Sequence, residues 1–259
     1  MDDIDHITLM YLKIAFRLPG CPVCRLARDA EDRYLRFLLW ENVNDLETRI
    51  RISQAMGFCH RHAWQTYHGE AADWGSTLGN SIIYEDLVGQ VVGRLKASRA
   101  AVQVPESKGS RLRGWASLKV WLGHTVAYRP ETPLMPSKSC RACESGKLSA
   151  ESAAVNLARM LADPEHQALY AESDGVCLPH LRLALQLDDS PMGSGYLIAA
   201  TAARLELLQR DLHEYGRKQA WQYRDETIAR AEETATERAV AFLAGSEVPG
   251  NLPGLACGS

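Results

Sequence analysis

The sequence predicts an all-α fold made of two pseudo-repeated helical lobes, and three observations favour it. Apolar residues recur three and four positions apart over most of the 259 residues, which is the period of an amphipathic helix. No convincing segment alternates with the period of two that is typical of a strand. A CxxC pair followed by a CxxH pair occurs twice, with 34 and 33 residues between the pairs.

The first copy of this pattern predicts five helices. A proline and a glycine stop the first helix just before the CxxC pair. The second begins at Pro22, because proline fits a first helical turn, where its missing amide hydrogen would be unpaired anyway. The predicted helices cover residues 6–17, a stretch from Pro22, a stretch capped by Asn44 or Asp45 that ends near Gly57, a stretch from about Cys59, and residues 79–103.

The second copy repeats this plan. Its CxxC pair is followed by a helix, a new helix starts at Asp163 and Pro164, and a long helix covers about residues 194–218. Asp45 and Asp163 each precede the CxxH cysteine of their copy by fourteen residues. The repeat therefore extends beyond the cysteines and indicates duplicated tertiary structure.

These patterns predict four segments, each lobe being closed by its own metal site. They are a first metal-binding lobe at 1–103, a basic, proline-containing linker at 104–139, a second metal-binding lobe at 140–218, and a C-terminal helix with a loose Pro/Gly-rich tail at 219–259, the helix being expected over 219–245.

Each copy supplies three cysteines and one histidine, the donor set of a tetrahedral zinc ion or of an iron–sulfur cluster. His62 aligns with His180 and is preferred as a ligand to His60, which we expect to hydrogen-bond to a ligand. Cys257 and the remaining histidines have no counterpart in the repeat. We expect the ligands to group in chain order, as Cys21, Cys24, Cys59 and His62 in one site and Cys140, Cys143, Cys177 and His180 in the other.

Four protein ligands leave no coordination position for water or substrate, so two structural Zn²⁺ ions are the favoured interpretation. The alternative is an iron–sulfur redox protein or enzyme with two clusters. A thiol–disulfide exchange motif is disfavoured, because no strand precedes either CxxC pair. No phosphate-binding loop, nucleophile elbow or HExxH motif is present, so the sequence assigns no catalytic residue.

Positive charge is concentrated in one segment. The net charge is −3, yet residues 94–129 hold eight Lys or Arg against the single acid Glu106. Basic residues mixed with tryptophan are typical of nucleic-acid contacts, but a solvated connector is the favoured interpretation. The candidate contacts with nucleic acid or an acidic partner are Arg111, Arg113, Trp115, Lys119 and Trp121.

The sequence is typical of a cytoplasmic protein. No apolar run approaches the roughly 20 residues that span a bilayer, and the N-terminus lacks a signal-peptide pattern. Thiols stay reduced and available to metals in the cytosol. We expect a binding or regulatory module with a protein partner, and with no membrane contact.

Three stretches, CPVCRLARDAEDRYLRFLLWENVND, GFCHRHAW and GVCLPHL, resemble an uncharacterised bacterial family, a domain of unknown function with duplicated CPxC and CxxH pairs. The late stretches EYGRKQAWQYR and AVAFLAG are similar to the C-terminus of that family. The second CxxC, CRAC, lacks the proline. The resemblance implies the metal-binding architecture and brings no activity with it.

Overall fold

The computed structural model describes residues 5–102, 134–187 and 191–248. Within these ranges the chain is helical and contains no strand, which confirms the all-α prediction. None of the described helices combines the length and the apolarity that crossing a bilayer requires. The helices are α1 (His6–Phe16), α2 (Pro22–Phe37), a π-helix (Leu38–Asn42), α3 (Leu46–Gln54), α4 (His60–Trp74), α5 (Leu78–Val102), α6 (Arg141–Met160), α7 (Pro164–Ala171), α8 (Leu178–Leu187), α9 (Pro191–Lys218), a 3-10 helix (Trp221–Tyr223), α10 (Arg230–Glu233) and α11 (Ala235–Ala244).

The two copies of the repeat form matching helices, α2 to α5 and α6 to α9. Asp45 is the N-cap of α3, and its side chain accepts a hydrogen bond from the amide of Thr48. Asp163 is the N-cap of α7 and accepts one from the amide of Glu165. A carboxylate at this position pairs with an amide that the first helical turn leaves unpaired. The equal spacing of the two aspartates thus reflects the same local structure, as predicted.

The C-terminal helix outside the repeat is present but shorter than the predicted 219–245. A 3-10 helix and a turn follow α9, and helical structure resumes at Arg230. Two basic side chains at the end of α9 bind the segment beyond it. The guanidinium of Arg217 lies 2.6 Å from the carboxylate of Glu226, and the amine of Lys218 lies 2.7 Å from that of Glu232. These ion pairs hold the intervening residues in a turn.

The chain divides into two compact units, residues 1–37 with 142–259, and residues 38–141. The sequence prediction has two lobes that follow one another along the chain, at 1–103 and 140–218. In the division into compact units, α1 and α2 belong instead with the helices of the second copy. Most of the predicted linker at 104–139 lies outside the described residues, as does the tail after residue 248.

The core of the unit formed by residues 1–37 and 142–259 surrounds Tyr170, whose side chain is fully buried. Phe16 packs edge-on against its ring, with 5.6 Å between the ring centroids. The Tyr170 hydroxyl accepts a hydrogen bond of 3.2 Å from the amide of Val176, and burial raises its pKa to about 12. This contact fixes the residue just before Cys177 to the core. The cluster also contains Leu12, Leu157, Leu161 and Leu197.

In the unit formed by residues 38–141, the buried side chain of Glu70 joins α4 to α5. Its carboxylate accepts hydrogen bonds from the backbone amides of Gly79, at 2.6 Å, and Asn80, at 2.9 Å. The side-chain amide of Asn80 donates a further hydrogen bond to it. A negative charge is favoured there by the unpaired amides and the dipole of the helix N-terminus. Glu70 therefore caps α5 from the neighbouring helix.

Two glycines of α9 provide a matched test of helix packing. A Cβ atom added to Gly193 would overlap the carbonyl oxygen of Ala158 on α6, whereas nothing lies within 4 Å of one added to Gly195. Overpacking typically costs about 1–3 kcal/mol, so we expect Gly193→Ala to lower the free energy of unfolding by about that amount. Gly195→Ala should raise it by about 0.5–1 kcal/mol, because alanine favours helix. Urea denaturation followed by circular dichroism measures both, and equal effects would contradict the close contact.

Candidate metal centres

The structure brings the eight predicted ligand residues into two groups, but it pairs them differently from the prediction. In each group one donor atom per residue lies within 4.8 Å of every other donor atom. The prediction that Cys21 and Cys24 group with Cys59 and His62 is wrong, since each group takes the CxxC pair of one copy and the CxxH pair of the other. Site 1 consists of Cys21, Cys24, Cys177 and His180, and site 2 consists of Cys59, His62, Cys140 and Cys143.

The lengths of the helices explain this exchange. The 16 residues of α2 and the π-helix that follows carry the chain about 30 Å from the first CxxC pair, whereas the nine residues of α3 can return only about 13 Å. The turn after α3 is tight, with the Gly57 amide 2.9 Å from the Ile52 carbonyl, and adds little reach. In the second copy α6 has 20 residues and α7 has eight. In each copy the second helix is therefore too short to bring the CxxH pair back to the CxxC pair of the same copy.

Local structure places Cys21 and Cys24 at the beginning of α2. Gly20, just before them, has a φ of +87°, a conformation that glycine adopts without strain. The Gly20 amide donates to the carboxylate of Asp174 at 2.7 Å, and the Cys21 amide donates to the hydroxyl of Ser246 at 2.8 Å. The turn is thus tied both to the segment before the CxxH pair of site 1 and to the segment after α11.

The donor atoms of site 1 surround one small volume. The Nδ1 atom of His180 lies 3.2 Å from the Sγ of Cys177, 3.3 Å from that of Cys24 and 3.5 Å from that of Cys21. The Sγ atoms of Cys24 and Cys177 are 3.7 Å apart. One ring nitrogen and three sulfurs thus face each other.

The thiols of site 1 differ in acidity. Burial, followed by hydrogen bonds with Cys177 and Cys24, raises the pKa of Cys21 well above its usual value. Hydrogen bonds from the thiols of Cys21 and Cys24 lower the pKa of Cys177 to about 3, and the backbone amide of His180 contributes to this shift. The sulfur of Cys177 therefore carries negative charge more readily than that of Cys21. Metal ions bind cysteine as the thiolate, so binding of an ion would require Cys21 to release its proton.

In site 2, as in site 1, the histidine presents its Nδ1 atom to the cysteine sulfurs. Cys59 is the N-cap of α4, and His62 lies fully buried in its first turn. The Nδ1 atom of His62 is 3.3 Å from the Sγ of Cys59 and 3.5 Å from that of Cys140, which is also buried. Cys143 follows Cys140 by one helical turn. Gly57, two residues before Cys59, has a φ of +98°, and Gly175 has a φ of +78° at the same place before Cys177.

The other candidate residues lie outside both groups. His62 supplies the imidazole of site 2, as preferred, whereas His60 is exposed on α4 and belongs to neither group. The predicted contacts with nucleic acid or an acidic partner, and Cys257, lie outside the described residues. They are Arg111, Arg113, Trp115, Lys119, Trp121 and Cys257.

Each site combines three sulfur donors with one imidazole nitrogen and could hold a metal ion. The donors were predictable from the sequence, but their pairing was predicted wrongly. The lengths of the predicted helices contained the missing signal, because the second helix of each copy is far too short to return along the first. The supporting contacts from Asp174 and Ser246 have no comparable sequence signal.

Comparison with known proteins yields a family without an assigned function. An uncharacterized 23.9 kDa protein in the xynA 3' region of Caldicellulosiruptor sp. (strain Rt8B.4) is 36% identical over 73 residues, which are 28% of this chain and 33% of the relative. The match thus spans about a third of that relative's length. No solved structure matches the chain. The model of the family of unknown function DUF6062 matches residues 7–249, and the chain therefore belongs to this family.

Proposed function

We propose that the protein binds two structural zinc ions, one in each site, and acts as a binding or regulatory module in the cytoplasm. The observation that carries the proposal is the mutual closeness of four soft donor atoms in each group. A reducing compartment suits the sites, because their cysteines have to remain thiolates.

The distances in site 1 support a single tetrahedral ion. Zinc lies about 2.3 Å from sulfur and about 2.0 Å from a histidine nitrogen, so neighbouring donors in a tetrahedron are separated by about 3.5–3.8 Å. The sulfur–sulfur distance of 3.7 Å and the sulfur–nitrogen distances of 3.2–3.5 Å are close to these values. An ion could therefore enter with small movements of the side chains.

An iron–sulfur cluster would need a wider arrangement. Its ligands bind different iron atoms and point outward from a core of iron and sulfide. Donor atoms that all lie within 4.8 Å of one another leave little room for such a core. This compactness favours zinc over the iron–sulfur alternative.

The chemistry of the donor set supports a structural role. Three thiolates and one imidazole occupy all four positions of a tetrahedral ion, so no position remains for a substrate. A structural zinc site contributes an apparent ~10–16 kcal/mol in small peptides, whereas a whole domain is typically stable by about 5–15 kcal/mol. Each ion could thus determine whether the helices around it fold.

Metal analysis tests the number and identity of the ions. We expect two zinc ions per chain, one for each group of donors, and a colourless protein after anaerobic purification, because zinc has no partly filled d shell. Iron in a brown protein would contradict the zinc assignment. Protein that folds normally without bound metal would contradict the whole proposal.

Paired substitutions test which donors share an ion. Cys24 and Cys177 belong to the same site, so the variant Cys24→Ala/Cys177→Ala should retain one of the two ions. The matched variant Cys24→Ala/Cys59→Ala removes one donor from each site and should retain neither. Ligands grouped in chain order would give the reverse result. Zinc content per folded chain, measured after gel filtration, distinguishes the two arrangements.

Chelation tests the structural role. We expect removal of both ions to abolish most of the helical circular dichroism signal, because the starts of α2, α4, α6 and α8 lose their common anchors. Addition of zinc under reducing conditions should restore the signal. An unchanged helical signal after verified loss of metal would show that the ions are not structural.

A further inference from the structure

One side of α5 is exposed over about three helical turns. Val88 on this side is 59% exposed, and Val92, one turn further, is 41% exposed. The opposite side of the helix carries Ile83 and Leu87, which are buried. We call the exposed side the α5 outer face, and its six residues are Glu85, Val88, Gly89, Val92, Gly93 and Lys96. It thus has an apolar centre with one acid and one base at its ends.

The two glycines of the α5 outer face serve no close contact within the described part of the chain. Nothing described lies within 4 Å of a Cβ atom added to Gly89 or Gly93. Gly193 of α9 differs, because its missing side chain makes room for the carbonyl of Ala158 on α6. Glycine disfavours a helix relative to alanine, but it also lets the axis of a second helix come close. Gly89 and Gly93 leave such room on the outside of α5.

The charges of α5 indicate which helix fits there. Among the charged side chains described on α5, Asp86 pairs with Arg49 of α3 at 3.2 Å, and Arg94 is half-buried on the side away from the outer face. Glu85 and Lys96 are exposed on the outer face, about 16 Å apart along the axis. They carry opposite charges at its two ends. An antiparallel second α5 would therefore bring Glu85 of each molecule to Lys96 of the other.

The apolar residues fit the same arrangement. A twofold axis level with the peptide bond between positions 90 and 91 places Val88 of each molecule opposite Gly93 of the other, and Val92 opposite Gly89. Each valine then meets the gap that a glycine leaves. Two α5 helices in parallel and in register would instead place like charges together at both ends, which is unfavourable. The α5 outer face is thus complementary to itself in the antiparallel direction.

We propose that the α5 outer face binds the same face of a second molecule of this chain, as an antiparallel pair of helices. The contact is only about three turns long, whereas stable specific interfaces bury about 1,200–2,000 Å². We therefore expect a dimer that dissociates on dilution. The inference goes beyond the proposed function, because α5 supplies no donor to either metal site. It identifies a second molecule of the chain as a protein partner.

Sedimentation velocity on the zinc-loaded, full-length protein over a range of concentrations tests this inference. We expect a monomer–dimer equilibrium. Glu85→Lys and Lys96→Glu should each weaken the dimer at least about tenfold, because each places like charges together at both ends of the helix pair. The double variant Glu85→Lys/Lys96→Glu should regain the affinity of the wild type, because the opposite charges then meet again. A double variant as weak as the single variants would contradict the antiparallel pair.

A matched pair of glycine variants tests the close approach of the helices. Gly89→Leu fills the gap that Val92 of the second molecule would enter, so it should abolish the dimer. The monomer should remain folded, because the space around Gly89 is open and leucine favours helix over glycine. Gly195 of α9 is also exposed, with nothing described within 4 Å of an added Cβ atom, so Gly195→Leu should leave the dimer unchanged. Each variant is compared at equal zinc content and equal helical signal.

Three outcomes would overturn the inference. Folded wild-type protein that stays monomeric up to about 1 mM would show that another protein or the chain itself covers the α5 outer face. A dimer that survives Gly89→Leu would show that the molecules meet elsewhere. Loss of the dimer in both Gly89→Leu and Gly195→Leu would contradict its placement at α5. None of these outcomes changes the expected zinc content, so the proposed metal sites are tested separately.

Discussion

The fold depends on bringing together cysteines that are far apart in the chain. Cys24 and Cys177 are separated by 153 residues, yet their sulfur atoms lie 3.7 Å apart. The entropic cost of closing a loop grows only with the logarithm of its length, so a long closure costs little more than a short one. Metal binding of the magnitude known for structural zinc would exceed this cost. Cys21 and Cys177 also belong to the apolar core around Tyr170, so binding of the proposed ion and packing of that core would support each other.

The exchange of ligand pairs makes the two copies of the repeat mutually dependent. Residues 1–103 contain one CxxC pair and one CxxH pair, but these pairs belong to different sites. A single copy therefore cannot complete either site, although it contains the right kinds and number of donors. Contacts of such long sequence separation slow the folding of a chain. Helix caps and glycine turns act locally, so they can position each pair of donors before the distant pairs meet.

The local structure was predictable from the sequence because its causes are local. Pro22, the capping aspartates and the period of apolar residues each act within a few residues, and the helix boundaries followed from them. The pairing of ligands was predicted wrongly, because both possible groupings contain the same kinds of donors, and only the short second helix of each copy distinguishes them. The start of the final helix was missed for another reason, since Arg217 and Lys218 bind residues nine and 14 positions further along the chain. Helical periodicity carries no information about such contacts.

Site 2 and Glu70 act on the same helix. Cys59 and His62 lie at the start of α4, and Glu70 holds the second half of α4 to α5. A helix of 15 residues is only marginally stable alone in water, so α4 depends on contacts near both of its ends. The hydrogen bonds of Glu70 are formed within the protein itself, whereas the contact at the start of α4 would be completed by the proposed ion. Loss of that ion would therefore weaken the first turn of α4 and leave the Glu70 contact in place.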